Sequence, residues 1–195
     1  IELVLSYPVY RDEIINGKFI GGLTVLSTAL FISMGMSSGL AVFMLDLIPT
    51  IEQVSRISFM MLGTVVYMAF FLALGSLFST VFRSSWRSLF AGGIALLIFL
   101  ATPLGASIAA DHIYPYEQES PGVQPTPGPR GRLSPVTSYG NFVNTMLGIN
   151  YESETGIQPT LRQSLESSWG YMVYLLSQTL MAFTFSYAAF MRQDL

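Results

Sequence analysis

Four long apolar stretches without a charged residue divide this chain. They cover residues 19–45, 57–82, 88–110 and 167–191. Each is longer than the roughly 20 apolar residues that a helix needs to cross the hydrocarbon core of a bilayer. The hydrophilic segments between and around them are 1–18, 46–56, 83–87, 111–166 and 192–195. The pattern predicts an all-α membrane protein, a multi-pass bundle of four transmembrane helices in a single domain that covers residues 1–195.

The longest hydrophilic segment, 111–166, has two parts. Residues 115–135 hold six of the ten prolines, and proline lacks the backbone donor that helices and central strands need. This part is predicted to be an extended, exposed loop. Residues 133–151 carry no charge and place Phe142, Val143, Met146 and Leu147 at helical spacing. They predict a short helix lying on the membrane surface, with a fifth span as the alternative.

Charged residues make up 11% of the chain, where ordinary globular proteins carry about 25%, and their positions predict the orientation. With four spans, one side of the membrane receives Arg11, Lys18, Arg83, Arg87 and Arg192. The other side receives Arg56, Arg130, Arg132 and Arg162, spread over much longer segments. Because cytoplasmic loops carry the denser positive charge, both termini are predicted to be cytoplasmic and the segment 111–166 external.

Composition also excludes several functions. A net charge of −3 gives no basic surplus for nucleic acid, and the absence of cysteine excludes disulfides and thiolate metal sites. No phosphate-binding G-x-x-x-x-G-K-[ST] motif occurs. The predicted spans contain no Asp, Glu, Lys, Arg or His, and His112 is the only histidine. The sequence therefore predicts no metal site, no catalytic residue and no proton-coupled transport.

Small residues at four-residue spacing indicate where helices approach closely. Gly35 and Gly39 form such a pair in the first predicted span, and Ala69 and Ala73 form one in the second. Membrane helices associate through small residues of this kind. The spacing leaves two interpretations open, packing within one chain or a subunit interface.

The segment 1–18 concentrates charge just before the first predicted span. Pro8 interrupts its apolar start, and Asn16-Gly17 predicts a turn. The segment is predicted to form a short amphipathic helix on the cytoplasmic face. Its charges form either a solvated surface or a docking surface; they are Arg11, Asp12, Glu13 and Lys18.

Residues 3–22, LVLSYPVYRDEIINGKFIGG, resemble the cytoplasmic element of the permease subunits of ABC transporters of the type-2 exporter family. Three further matches follow in the same order: residues 75–93 with the family's cytoplasmic turn, residues 133–143 with its outer segment, and the ending FMRQDL. Tyr10 departs from the pattern, since the family often has Ser or Thr there. The positions that carry the first match are Leu3, Leu5, Pro8, Val9, Arg11, Glu13, Gly17 and Lys18.

The resemblance implies a permease subunit of an ATP-driven exporter in the cell membrane, surrounded by lipid. It further implies a second permease subunit, identical or homologous, and a separate ATPase subunit that binds ATP and Mg. The family usually has six spans, so a chain that starts with Ile1 at this element is expected to hold the last four. A membrane-embedded accessory subunit without a transport role is the alternative. The residues assigned to ATPase coupling are Pro8, Val9, Arg11, Asp12, Glu13 and Lys18, with Arg83 and Arg87 in the cytoplasmic turn.

Overall fold

All regular structure in the described residues is helical. A computed structural model describes residues 11–46, 48–82, 84–113, 134–149 and 159–192. Pro8, Val9 and most of the Pro-rich loop lie outside these residues. The predicted all-α fold is confirmed for the described part of the chain. Its five helices are α1 (Arg11–Leu45), α2 (Ile51–Val81), α3 (Ser85–Ile113), α4 (Pro135–Leu147) and α5 (Leu161–Met191).

Three of these helices are long and apolar enough to cross a membrane. The qualifying segments are Glu13–Met44 of α1, the whole of α2 and the whole of α5. The helix α3 has 29 residues, or about 43 Å at 1.5 Å per residue, and its apolar segment Ser85–Ala101 is shorter than the other three. The chain is therefore a multi-pass membrane protein, and a crossing by α3 stays a prediction.

The first helix corrects one expectation. It runs without interruption from Arg11 to Leu45, so Asn16-Gly17 forms no turn and Arg11 to Lys18 belong to the same helix as the first span. Turn preference is local and weak, since glycine inside a helix costs about 1 kcal/mol relative to alanine. Tertiary packing opposes it here, because Ile15 is buried and the Phe19 ring packs 4.6 Å from the Phe183 ring of α5.

Two helices begin six residues before the predicted spans. The helix α2 begins at Ile51 rather than at residue 57, and α5 begins at Leu161 rather than at residue 167. Each start carries a capping box, in which a threonine and a glutamine bond each other's backbone N–H groups. The pairs are Thr50 with Gln53 and Thr160 with Gln163. These caps extend both helices through polar first turns that hydrophobicity alone assigned to loops.

The contacts between helices fix their directions. Along α2, residues Arg56, Val66 and Ser76 contact Ser164, Thr179 and Ser186 of α5 in the same order, so these two helices are parallel. The helix α3 runs antiparallel to α2, because Gly92 lies beside Phe78 while Phe99 lies beside Phe70. A parallel pair with an antiparallel helix between them in the chain is the arrangement that alternate membrane crossings produce.

The described core lies where α1, α2, α3 and α5 meet. Phe70 and Ala73 of α2 and Ala182 of α5 are buried at its centre. Around them pack partly buried aromatic and aliphatic side chains from all four helices: Phe19, Phe71, Leu74, Phe99 and Phe183. The small Ala73 and Ala182 let α2 and α5 approach closely there, as small residues do in membrane helix pairs.

The short helix predicted in the external segment is present as α4, but it does not lie apart from the bundle. Its 13 residues reach about 20 Å, too short to span. It packs against α2, α3 and α5. Of the predicted apolar face, Phe142 and Met146 are buried while Leu147 is half exposed. The buried face is rotated from the predicted one because Ser138 and Thr145 also pack inward.

Candidate functional site

A largely buried arginine joins three helices at the end where α2 and α5 begin. The capped start of α2 places Glu52 in the first turn and Arg56 one turn later, at i and i+4. The Arg56 side chain is only 11% exposed. Arginine presents five N–H donors in a planar fork and keeps its charge. It is therefore suited to bond several acceptors from different elements at once.

The acceptors around Arg56 come from α2, α4 and the start of α5. The guanidinium donates to the Met146 carbonyl at 2.8 Å and to the Ser164 hydroxyl at 3.1 Å. It also donates to the Pro159 carbonyl and, at 2.9 Å, to the Glu52 carboxylate. We call these five residues the Arg56 junction. It ties the last turn of α4 and the first turn of α5 to one side of α2.

Electrostatics favour this placement of the charge. The Met146 carbonyl belongs to the last turn of α4, where unpaired carbonyls make the negative end of the helix dipole. The Glu52 carboxylate, which balances the arginine, also accepts the backbone N–H of Leu161 at 3.1 Å in the first turn of α5. Arg56 thus bonds a carbonyl in the last turn of α4, and Glu52 bonds an N–H in the first turn of α5.

A glycine ends α4 and brings Pro159 close to it. Gly148 has a φ of +72°, a left-handed conformation that glycine adopts at little cost. Its N–H bonds the carbonyls of Asn144 and Thr145. A Cβ at Gly148 would lie 3.1 Å from the Pro159 ring. The close approach of these two residues sets the carbonyls of Met146 and Pro159 around the same guanidinium.

A second glycine seats α4 against the middle of α2. A Cβ at Gly63 would overlap the Phe142 ring, with ring carbons at 2.8 and 2.9 Å as well as a still closer one. Phe142 is 2% exposed. One turn along, the Tyr139 ring stacks on Tyr67 at 4.3 Å and its hydroxyl lies 2.8 Å from that of Thr64. Gly63 therefore makes the room that the seating of α4 requires.

Hydroxyl groups mark the interface between α2 and α5. Ser76 and Ser186 pair at 2.8 Å, and the Thr179 hydroxyl of α5 donates to the Val66 carbonyl of α2 at 3.4 Å. Ala69 and Ala73, predicted as a close-packing pair, are both buried in α2, and Ala73 lies with Ala182 in the core. Both residues are thus buried among helices of the same chain, and a role at a subunit interface stays a prediction.

The other predicted packing pair has a different environment. Gly35 and Gly39 lie in α1, and a Cβ at either would meet no atom within 4 Å. The residues from Gly35 to Met44 are all exposed. Within the described residues this glycine pair packs against no other helix, so its assignment to a subunit interface stays a prediction.

The predicted cytoplasmic residues lie at the opposite end of the bundle from the Arg56 junction. Arg11, Asp12, Glu13 and Lys18 fall in the first turns of α1, where Glu13 and Lys18 are exposed. Arg87 is exposed in the first turn of α3, and Arg83 lies outside the described residues. Their coupling role stays a prediction.

The junction itself was not predicted. In the sequence, Arg56 stands out only as a charge of the segment 46–56, and no motif marks Gly63. The Thr-x-x-Gln pair at Thr50 and Gln53 was the available signal, because it starts the helix early enough to place Arg56 inside it. Among the residues that the structure describes, no group of three or more His, Cys, Asp or Glu is placed to hold a metal ion.

Comparison with known proteins gives one match. A family described as "ABC-2 family transporter protein" matches residues 1–195. No curated protein and no solved structure matches the chain.

Proposed function

The chain belongs to the ABC-2 transporter family, and on that premise we propose that it is the permease subunit of an ATP-driven exporter. Membership makes it a membrane transport component that is not itself catalytic, and it implies an ABC ATPase subunit as a partner. The proposal adds that this ATPase is a separate polypeptide, that a second permease subunit completes the path, and that substrate moves outward across the cell membrane. The family match over the whole chain is the observation that carries it.

The proposed topology has four spans, with α3 as the third and both termini in the cytoplasm. The parallel pairing of α2 with α5, and the antiparallel course of α3, support this order. The lengths of the helices support it too, because α3 has 29 residues and α2 has 31. The Arg56 junction then lies toward the outer side, and α4 runs from about the middle of the bundle to that junction.

Single cysteines test this topology, since the chain has none of its own. Ile48 and Ser84 are exposed residues that flank the two ends of α2. In intact cells, Ile48→Cys is expected to react with a membrane-impermeant thiol reagent. Ser84→Cys is expected to react only after the membrane is opened. Equal reaction of both residues in intact cells would contradict a crossing by α2.

Charge reversal tests the proposed ATPase coupling. We expect the wild-type chain to copurify with an ATPase, and the double variant Arg11→Glu with Glu13→Arg to lose most of it, because the cytoplasmic start of α1 would meet that subunit with reversed charge. Immunoblotting of the copurified ATPase, with its hydrolysis rate, measures this. The matched control is Arg162→Glu with Glu166→Arg, an exposed i,i+4 pair on α5.

The outcomes separate the proposal from its alternative. Exposed ion pairs are worth at most about 1 kcal/mol, so unchanged ATPase binding in the first double variant would assign its charges to a solvated surface. A wild-type chain that purifies without any ATPase would favour the accessory-subunit alternative and contradict the permease assignment.

A further inference from the structure

The helix α4 lies at a depth that membrane would surround. Its Phe142 ring packs at Gly63, 12 residues after the first residue of α2, and Tyr139 stacks on Tyr67 one turn further on. At 1.5 Å per residue these contacts lie about 18 to 24 Å along α2. A helix that reaches this depth without spanning must leave its polar groups facing protein or water, because hydrocarbon offers no hydrogen bonds.

One flank of α4 is polar and partly exposed. Thr137, Asn141 and Asn144 follow one another at i, i+4 and i+7, which places them on one side of the helix. All three are partly exposed. A Cβ at Gly140, beside this flank, would meet no atom within 4 Å. The flank is therefore only partly covered by protein, and it lies away from the face that packs on α2 and α5.

The side-chain amides of the two asparagines need hydrogen-bond partners. Each side-chain amide carries two N–H donors and an acceptor oxygen, and neither amide has a hydrogen-bond partner among the described residues. Burying an amide in hydrocarbon without such partners costs several kcal/mol. Two such groups on a helix of 13 residues would oppose its insertion if they faced lipid.

We infer that Thr137, Asn141 and Asn144 line a water-filled cavity within the membrane, open to the side on which α2 and α5 begin. Non-spanning helices at membrane depth are tolerated where they line such a cavity. The inference rests on the proposed topology for its outward direction. In that topology the cavity forms the outer part of the transport path, and α4 is its wall.

Thiol accessibility tests the cavity directly. Asn141→Cys and Asn144→Cys are compared with Leu62→Cys, an exposed α2 position next to Gly63 and hence at the same depth. A charged, membrane-impermeant thiol reagent is added to intact cells that carry each full-length variant. Because only a hydrated thiol ionises and reacts, both asparagine positions are expected to label at least tenfold faster than Leu62→Cys. Asn144→Cys, nearer the end of α4, is expected to label fastest.

Each of the other outcomes would contradict the cavity, the topology or the outward opening. Slow labelling of all three positions, with the Ile48→Cys variant still labelled, would place the flank against protein or lipid and refute the cavity while leaving the topology intact. Fast labelling of all three would remove this part of α2 from the membrane and refute the topology itself. Labelling of the asparagine positions only in inverted vesicles would refute the outward opening.

Discussion

Replacing Arg56 with alanine is expected to lower the free energy of unfolding by about 2–6 kcal/mol. The substitution leaves the Met146 and Pro159 carbonyls without the donor that the guanidinium supplies. A buried acceptor left without a partner costs about 1–3 kcal/mol, and two are affected. Reversible unfolding of the purified protein in mixed detergent micelles measures the change.

Arg162→Ala is the matched control for this result. Arg162 also pairs with a glutamate at i+4, at 2.9 Å, but its side chain is 88% exposed. Such a surface pair is worth about 0–1 kcal/mol, so the control is expected to unfold almost like the wild type. Arg56→Lys is expected to fall between the two, because one ammonium cannot reach acceptors on three elements with a planar fork. Equal stability of Arg56→Ala and Arg162→Ala would contradict a structural role for the junction.

The long apolar stretches predicted the helices well and their first residues poorly. A charge-free run of more than 20 residues has few alternatives to a membrane helix, and three of the four predicted stretches lie in helices that qualify as spans. The predicted first residues of α2 and α5 fall after the observed ones, because hydrophobicity does not detect the polar residues that cap a helix. The hydrogen bonds of Thr50 and Thr160 carry each helix through a polar turn.

The Arg56 junction could not be predicted from the sequence, because its members are far apart along the chain. Met146 lies 90 residues from Arg56 in the chain, and Ser164 lies 108 residues away. No local pattern links them. The same limit applies to the small-residue pairs, since identical four-residue spacing is buried at Ala69 and Ala73 but exposed at Gly35 and Gly39. What a pair packs against depends on the neighbouring helix, which spacing does not encode.

Gly63→Ala is expected to displace α4 from α2 and to lower the free energy of unfolding by about 1–3 kcal/mol, the usual cost of overpacking. In an open helix position the same change would stabilise by up to about 1 kcal/mol. Gly75→Ala provides this comparison within α2, because a Cβ there meets nothing within 4 Å. Unfolding in mixed micelles measures both variants. We expect them to shift in opposite directions.

A second substitution identifies the Phe142 ring as the cause. Phe142→Ala alone is expected to cost about 3–5 kcal/mol, because it empties a buried site. In that background the methyl group added by Gly63→Ala does not overlap a ring, so the substitution is expected to leave the free energy of unfolding unchanged or to raise it slightly. The two substitutions are in contact, and their free energies should therefore not add. If Gly63→Ala is as destabilising without the ring as with it, the clash lies elsewhere and α4 is not seated by this glycine.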